Sequence, residues 1–436
     1  MSPTIFISAG EASGEHYGAL LIEALKKQLA ASGQTARFFG MGGPRMTAAG
    51  LERVVRAEDV TVMGLTEVLL HLPRIYGEFR KLKKAIRARR PDVAVLIDFP
   101  EIHFRLARQL HRMGVPVIFF VSPQLWAWKK HRIKLVQRYV RRMAVIFPFE
   151  EPFYRERGVQ AEFVGHPLAE LPLPAISREQ FAAASKLDPT KIWVALLPGS
   201  RPREIRDLLP EMLEAAWSLS GYPRNPADRG SEAYAALLMK FGAPSPNRRR
   251  LADLFEFVVP LAPTLNEAQR RAVLDLVDDR GGGLFIRVVD DARAALFHAR
   301  ASVVASGTAT VEAALMGNPF VVVYRVSPLT YAIARRVVKV AHVAMVNLIA
   351  GKRVVPELIQ HDFTAAKIVQ QIERLLPEGA PRQSMMEELA RIRALLQSRP
   401  AGQKPETGGA IERVAAIVLE ELRTTSPARD NKTVRT

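Results

Sequence analysis

Asp98 ends the apolar run VAVLID (Val93–Asp98), which places it at the carboxyl end of a strand, where α/β enzymes project reactive groups. Burial beside Val95, Ile97 and Phe99 raises a carboxyl pKa, as suits a general base acting on a hydroxyl. His16 and His103 are the rival bases. Nearer the start, AGEASGEHYG (Ala9–Gly18) gathers Gly10, Ser13, Gly14 and Glu15 in a turn that lets backbone N–H groups approach an anionic or sugar ligand. Two later turns, PGSR (Pro198–Arg201) and SGTATVE (Ser306–Glu312), join small residues to hydroxyls and a guanidinium. Gly199, Ser200, Arg201, Ser306, Gly307 and Thr308 supply the material of a diphosphate cradle, with Glu312 placed to accept hydrogen bonds from ribose hydroxyls. No D-x-D pair occurs, so a divalent cation bridging protein and diphosphate is not expected. Stabilising a leaving diphosphate then falls to helix dipoles and Arg201, and neither a metal site nor a cofactor is expected.

Other chemistries drop out. There is no G-x-S-x-G elbow, no Walker A motif and no G-x-G-x-x-G, which argues against serine hydrolase, P-loop and dinucleotide readings. The absence of cysteine excludes disulfides, thiolate metal sites and a thiol nucleophile.

The elements that must position these residues follow from hydrophobic periodicity. IFISAG, VAVLIDFP, VPVIFFVSP and MAVIFPF are short apolar runs, each followed by a stretch with helical spacing. The alternation indicates a parallel sheet with right-handed crossovers. After the proline-rich Val164–Ser177 the pattern restarts at IWVALLPGSR and continues through FEFVVPLA, LFIRVV, ASVVASGT and FVVVYRV. The expected fold is α/β, with two Rossmann-like doubly wound domains facing a cleft. The boundaries expected are 1–168, a linker over 169–189, a second domain over 190–362, helices over 363–423 and a disordered tail over 424–436. Tyr222–Arg250, mixed in Pro, Gly, Asn and Arg, reads as an inserted surface excursion.

The chain of 436 residues carries a formal charge of +18, and most of the excess lies in one stretch. From Leu72 to Arg142 there are 18 Lys and Arg against 4 Asp and Glu, a local charge of 18 − 4 = +14. Such a patch attracts polyanions: nucleic acid, acidic headgroups or a phosphorylated substrate. Few aromatics interleave it and no nucleic-acid motif is present, so nucleic acid is not the expected partner. VMGLTEVLLHL (Val62–Leu72), too apolar for an ordinary surface helix and too short to span, runs directly into the cations. Val62, Leu65, Val68, Leu69 and Leu72 thus fit an interfacial element, the alternative being a buried helix followed by a basic one. The N-terminus lacks a signal-peptide pattern, so a cytoplasmic, peripherally membrane-associated enzyme is expected.

GEASGE, GPRM, VMGLTEVL, DFPEIHFRLA, SPQLWAWKKHR, FPFEEPFY, VGHPL, LLPGSR, ASGTATVEAAL and VNLIAG, in order along nearly the whole chain, resemble the bacterial lipid-A-disaccharide synthase family. The resemblance implies a glycosyltransferase of GT-B type whose C-terminal helix, around Glu412–Arg423, crosses back to the N-terminal domain. It further implies transfer of 2,3-diacylglucosamine from its UDP derivative to 2,3-diacylglucosamine 1-phosphate at the inner membrane's cytoplasmic surface, with inversion. The products are the β-1′,6-linked disaccharide 1-phosphate and UDP. Asp98 falls on the family's proposed base, and Arg201, Ser306, Thr308 and Glu312 fall on its nucleotide motifs. VNLIAG adds Asn347 as a substrate-cleft candidate, and Val62–Tyr76 gains a second role in lining an acyl-chain groove. The alternative is another UDP-sugar enzyme of the same fold, an epimerase or a peptidoglycan glycosyltransferase. Two places depart from the family pattern: Glu15 where the turn commonly ends SGD, and Pro100–His103 where PDFN is usual.

Overall fold

The computed structural model describes residues 2–60, 65–220, 254–337, 340–397 and 408–425, with the backbone alone for 65–72, 329, 333, 334, 337 and 425. Val62, the 222–250 insertion and residues 426–436 lie outside the described residues. The chain forms two compact units, Met1–Glu170 with Leu396–Thr436, and Leu171–Leu395.

In the first unit, β1 (Thr4–Ala9), β2 (Arg37–Gly42), β3 (Leu51–Arg56), β4 (Val93–Ile97), β5 (Val117–Phe120), β6 (Arg142–Val145) and β7 (Ala161–Phe163) make one parallel sheet in the order β3-β2-β1-β4-β5-β6-β7. The runs are continuously apolar because both faces are covered. Ile5, Ile7 and Ala9 point into one core with Leu21 and Leu25 of helix Ala12–Ala31. Phe6, Ala94 and Leu96 point into the other, with Leu82, Ile86, Leu106 and Leu110. In the second unit, β8 (Ile192–Leu197), β9 (Phe255–Pro260), β10 (Ile286–Val289), β11 (Ala301–Ala305), β12 (Phe320–Tyr324) and β13 (Glu357–Ile359) repeat the plan as β10-β9-β8-β11-β12-β13, again all parallel. Strand order therefore reverses once in each unit, between β1 and β4 and between β8 and β11. Ligands of open α/β sheets bind outside the strand carboxyl ends at such reversals.

Helix Ala410–Thr425 returns to the first unit, where Val414, Ala415, Val418 and Leu422 join Leu21 and Ile22 in the core. Its buried Arg413 donates from Nε to the Val164 carbonyl at 2.7 Å, tying the helix to the end of β7. Residues 363–395 depart from that expectation and belong to the second unit. Helix Ala365–Leu375, capped by Thr364, packs on helix Pro202–Leu219 and buries Ile368, Ile372 and Leu375 in the second unit. An i, i+4 apolar stripe demands a partner without saying which one. Nor is 169–189 a bare linker, because helix Arg178–Ser185 carries a Ser177–Gln180 capping box and buries Phe181. Among the described residues no helix is long and apolar enough to cross a membrane.

Candidate active site

In the first unit the strand reversal brings together the turn after β1 and Asp98 after β4. Asp98 (φ 50°), Phe99 (φ 49°) and, after β5, Val121 (φ 63°) all hold left-handed backbone at neighbouring strand ends. Such conformations are strained for side chains with a Cβ, and they persist only where surroundings over-determine them. The surroundings here are visible. His103 is fully buried; its Nδ1 bonds the Asp98 carbonyl at 2.6 Å and its Nε2 bonds Ser8 Oγ at 2.8 Å. Burial drives its pKa down to about 4, so the neutral ring donates to the carbonyl and accepts from the hydroxyl. With both nitrogens committed, His103 supports the Asp98 main chain and is not itself a base. Burial, and secondarily the like charge of Glu11, pushes the Asp98 carboxyl up to about 7, against a hydrogen bond from the Phe99 amide. Glu11 is a neighbour that sequence reasoning missed.

Gly10 is buried under Phe99, and a Cβ there would lie 2.4 Å from the ring. Gly10→Ala is expected to push Phe99 aside and Asp98 with it. Steady-state kinetics should show kcat falling more than KM changes, with a loss of about 1–3 kcal/mol in unfolding experiments. Gly14 packs against Ile97, while Ser13 stays exposed at the start of helix Ala12–Ala31. Glu15 is engaged away from the turn, its Oε1 accepting the Arg45 amide at 2.7 Å, at the start of helix Pro44–Ala48.

The loops after β5 and β6 are tied together beside Asp98. Glu150, 1% exposed, accepts the Trp126 indole N–H at 3.1 Å and the Phe147 amide at 3.2 Å, while Ser122 Oγ meets Tyr154 Oη at 2.8 Å. Burial pushes Glu150 up to about 8 against those hydrogen bonds. The SPQLWAW and FPFE motifs thus hold one another. Glu101, a departure from the family pattern, binds Arg132 and Lys129 of the same loop, and these hold its carboxyl down at about 2.

In the second unit, PGSR follows β8 and SGTATVE follows β11, the two strands flanking the reversal. Helices Arg178–Ser185, Glu267–Gly281, Ala292–His298 and Ala365–Leu375 each have a side-chain N-cap. Helices Pro202–Leu219 and Thr308–Leu315, at the reversal, have none. Pro202 has no N–H and the Thr310 amide donates to the Gly307 carbonyl at 3.1 Å, but the Arg201, Arg203, Thr308 and Ala309 amides take no side-chain cap and can meet an anion, with both dipoles adding positive potential. Gly199 (φ 111°) and Gly307 (φ 151°) make these approaches possible, and a Cβ at Gly199 would lie 2.5 Å from Glu204 Oε2. Arg201 is more than half exposed and 3.6 Å from Glu204. Tyr324, at the end of β12, feels both charges, which places it at the same edge. Ser306 and Thr308 are accessible at the second turn. Burial raises the Glu312 pKa, with Arg293 opposing.

Asn347 does not join this group. It is fully buried, its amide donates to the Val355 carbonyl and Glu357 Oε1, and its Oδ1 accepts the Val354 and Val355 amides at 2.8–2.9 Å. All four hydrogen-bonding positions are filled, leaving none for a ligand. Asn347→Ala is expected to cost about 2–4 kcal/mol in denaturant unfolding while UDP affinity stays unchanged. Of the apolar candidates, Leu65, Val68, Leu69 and Leu72 lie on the backbone of helix Leu65–Arg89, but their side chains, like all of Val62, are outside the described residues.

Among solved structures, a calicheamicin glycosyltransferase shares the fold at 18% identity and TM-score 0.53, over 97% of this chain and 98% of that one. The UDP-GlcNAc 2-epimerase of Neisseria meningitidis does so at 12% and 0.55, over 97% and 100%. These likenesses concern architecture, the two-domain GT-B plan. Sequence comparison is narrower: the profile of the lipid-A-disaccharide synthetase family matches residues 5–225 and 226–405. A lipid-A-disaccharide synthase of Acidobacterium capsulatum is 57% identical over 431 residues, 97% of each chain. That of Koribacter versatilis is 46% identical over 415 residues, 95% of this chain and 97% of its own. That of Myxococcus xanthus is 42% identical over 424 residues, 96% of this chain and 98% of its own. With the motif turns at both strand reversals and a match that spans nearly its whole length, the chain belongs to the lipid-A-disaccharide synthase family of glycosyltransferases.

Proposed function

We propose that the chain transfers 2,3-diacylglucosamine from UDP-2,3-diacylglucosamine to the 6-hydroxyl of 2,3-diacylglucosamine 1-phosphate, inverting the anomeric carbon. The reading rests on one observation: a carboxylate with a raised pKa at one strand reversal, and two uncapped helix N-termini beside Arg201 at the other. Asp98 takes the hydroxyl proton as the oxygen bonds to the donor's C1. The C1–O bond to UDP breaks with its electron pair, and the single displacement gives the β-1′,6 linkage. The charge developing on the diphosphate meets the amides of the Gly199–Arg201 and Ser306–Thr308 turns and the Arg201 guanidinium. Glu312 accepts from the ribose hydroxyls. The test is product formation by purified protein with both acylated substrates in detergent, without divalent metal, and with UDP-N-acetylglucosamine as control. Disaccharide phosphate and UDP from the acylated pair alone are expected. Consumption of the unacylated donor instead would transfer the assignment to another UDP-sugar enzyme of this fold.

Acylated substrates imply a lipid surface, and the apolar Val62–Leu72 segment flowing into the basic stretch supports peripheral association with the cytoplasmic face of the inner membrane. Changing Leu65, Leu69 and Leu72 together to serine is expected to move most of the protein from the membrane fraction to the soluble one. Unchanged partitioning would mark these leucines as core.

A further inference from the structure

Beyond Asp98 the strand ends of the first unit carry a row of rings. The backbone joins these ends in line: the Asp98 amide donates to the Phe120 carbonyl, that of Val121 to Ala144 and that of Val164 to Val145, at 2.9–3.2 Å. In the loops that follow β5, β6 and β7 stand Trp126, Phe147 with Phe149, and His166. Trp126 and Phe149 meet edge to face at 5.0 Å between ring centres, Phe149 and Phe147 lie parallel at 5.8 Å, and Phe147 meets His166 at 5.5 Å. The first three rings are half-buried, so part of each stays at the surface. Glu150 fixes the row by accepting the Trp126 indole N–H and the Phe147 amide. Aromatic surface with a few polar groups at set points is what orients a small ligand.

His166 supplies such a point. It is 2% exposed; its amide donates to the Leu396 carbonyl at 3.0 Å, and its carbonyl accepts the Ala169 amide at 2.9 Å. Its Nδ1 accepts the Leu168 amide at 3.2 Å. Burial drives the ring pKa down to about 3, so the ring is neutral and carries its proton on Nε2. This N–H has no hydrogen-bond partner among the described residues. Nor is it sealed, because Gln109 Oε1 is the one side-chain N or O atom there that is both closed to solvent and unpaired. His166 thus presents a single donor in a fixed direction at the end of the aromatic row. An uncharged ring offers a phosphate little, and Arg413, a cation at this strand end, is taken up by the Val164 carbonyl and Glu170. A neutral oxygen, such as a carbonyl, is the acceptor that fits.

We propose that Trp126, Phe149 and Phe147 form a platform under the acceptor's sugar ring, and that His166 Nε2 donates to one of its acyl carbonyls and so sets the 6-hydroxyl on Asp98. The inference rests on the proposed reaction, in which the acceptor is an acylated glucosamine. Three strand spacings of about 4.8 Å each separate Asp98 from His166, and the two side chains with a hexosamine and its acyl carbonyl between them span that distance. A sugar without an acyl group has the hydroxyl for Asp98 and nothing for His166. The test is kinetic, with purified full-length protein in detergent and two acceptors: 2,3-diacylglucosamine 1-phosphate, and a diether analogue whose chains join the ring through ether oxygens with no carbonyl. Wild type is expected to use the diether with about thirtyfold lower kcat/KM. His166→Phe, which keeps a ring and loses the donor, should lose about thirtyfold on the diacyl acceptor and nothing further on the diether. His166→Gln, whose amide can donate from the same place, should recover most of that loss. Phe147→Leu, at a half-buried position, should raise the acceptor KM about tenfold and leave the UDP-sugar KM unchanged, which keeps the test readable if His166→Phe does not fold. Equal use of the two acceptors by wild type, the same loss on both in His166→Phe, or an unchanged acceptor KM in Phe147→Leu overturns the inference and leaves the reaction standing. Absence of product from the acylated pair overturns the reaction and the inference with it.

Discussion

Asparagine at position 98 is expected to lower turnover about a thousandfold while UDP binding is kept, and to make the protein more stable at alkaline pH. A general base contributes factors of about 10²–10⁴, and asparagine removes the base while keeping the shape. UDP binding is expected to survive because the residues proposed to hold it lie after β8 and β11, in the other compact unit. The stability gain follows from linkage. The folded carboxyl titrates at about 7 against an ordinary 3.8, so the folded state binds this proton more tightly than the unfolded one. The stability this supplies is full below pH 3.8 and is lost as pH rises through about 7, a fall of at most about 4 kcal/mol. Asparagine has nothing to lose. The variant should therefore melt higher than wild type at pH 8 and equally at pH 4. For wild type the same pKa gives a rate that climbs tenfold per pH unit below about 7 and levels above it. Near wild-type turnover in Asp98→Asn, or a flat profile from pH 5 to 8, would remove Asp98 from the reaction.

Much of this arrangement was legible in the residues, for a definite reason. A parallel strand buried on both faces is a continuous apolar run, and the turn after it must be polar or glycine-rich, so VAVLID and ASVVASGT announce both strand and site edge. The repeated pattern gave two doubly wound sheets, and only their hydrogen-bonded order shows that GEASGE with Asp98, and PGSR with SGTATVE, flank the two reversals. Less legible was what a polar side chain does once there. Glu15 and Asn347 have the residue types of ligand contacts, yet both are taken up by neighbouring amides, a choice set by tertiary contacts 30 and 7–10 residues away. Glu150 shows the converse. It reads as one of two adjacent glutamates in FPFEEPFY, and only the fold puts Trp126 and the Phe147 amide around it. The strained backbone at Asp98 and Phe99 has no sequence signature either, since neither is glycine.

Alanine at position 201 is expected to weaken UDP binding roughly thirtyfold in calorimetry and to lower kcat by a further factor of about 10². Two effects are expected because, in the proposed reaction, the guanidinium meets the diphosphate twice: once as a bound dianion, and again as the bond to C1 breaks and charge builds on the leaving oxygen. Only the second contact raises kcat. Among the described residues Arg201 is exposed and ion-paired only with Glu204, at 3.6 Å, a surface pair of little intrinsic worth. The arm can thus leave its partner for a phosphate with small loss. Lysine separates the two contributions. It retains the charge without the planar fork, so Arg201→Lys should recover most of the UDP affinity and less of the rate. Glu204→Gln, which frees the arm and removes a negative charge from the edge of the site, should tighten UDP binding a few-fold. If Arg201→Ala bound UDP as wild type does, the diphosphate would rest on the two helix N-termini alone. Arg201 would then be a surface residue that happens to follow a phosphate turn.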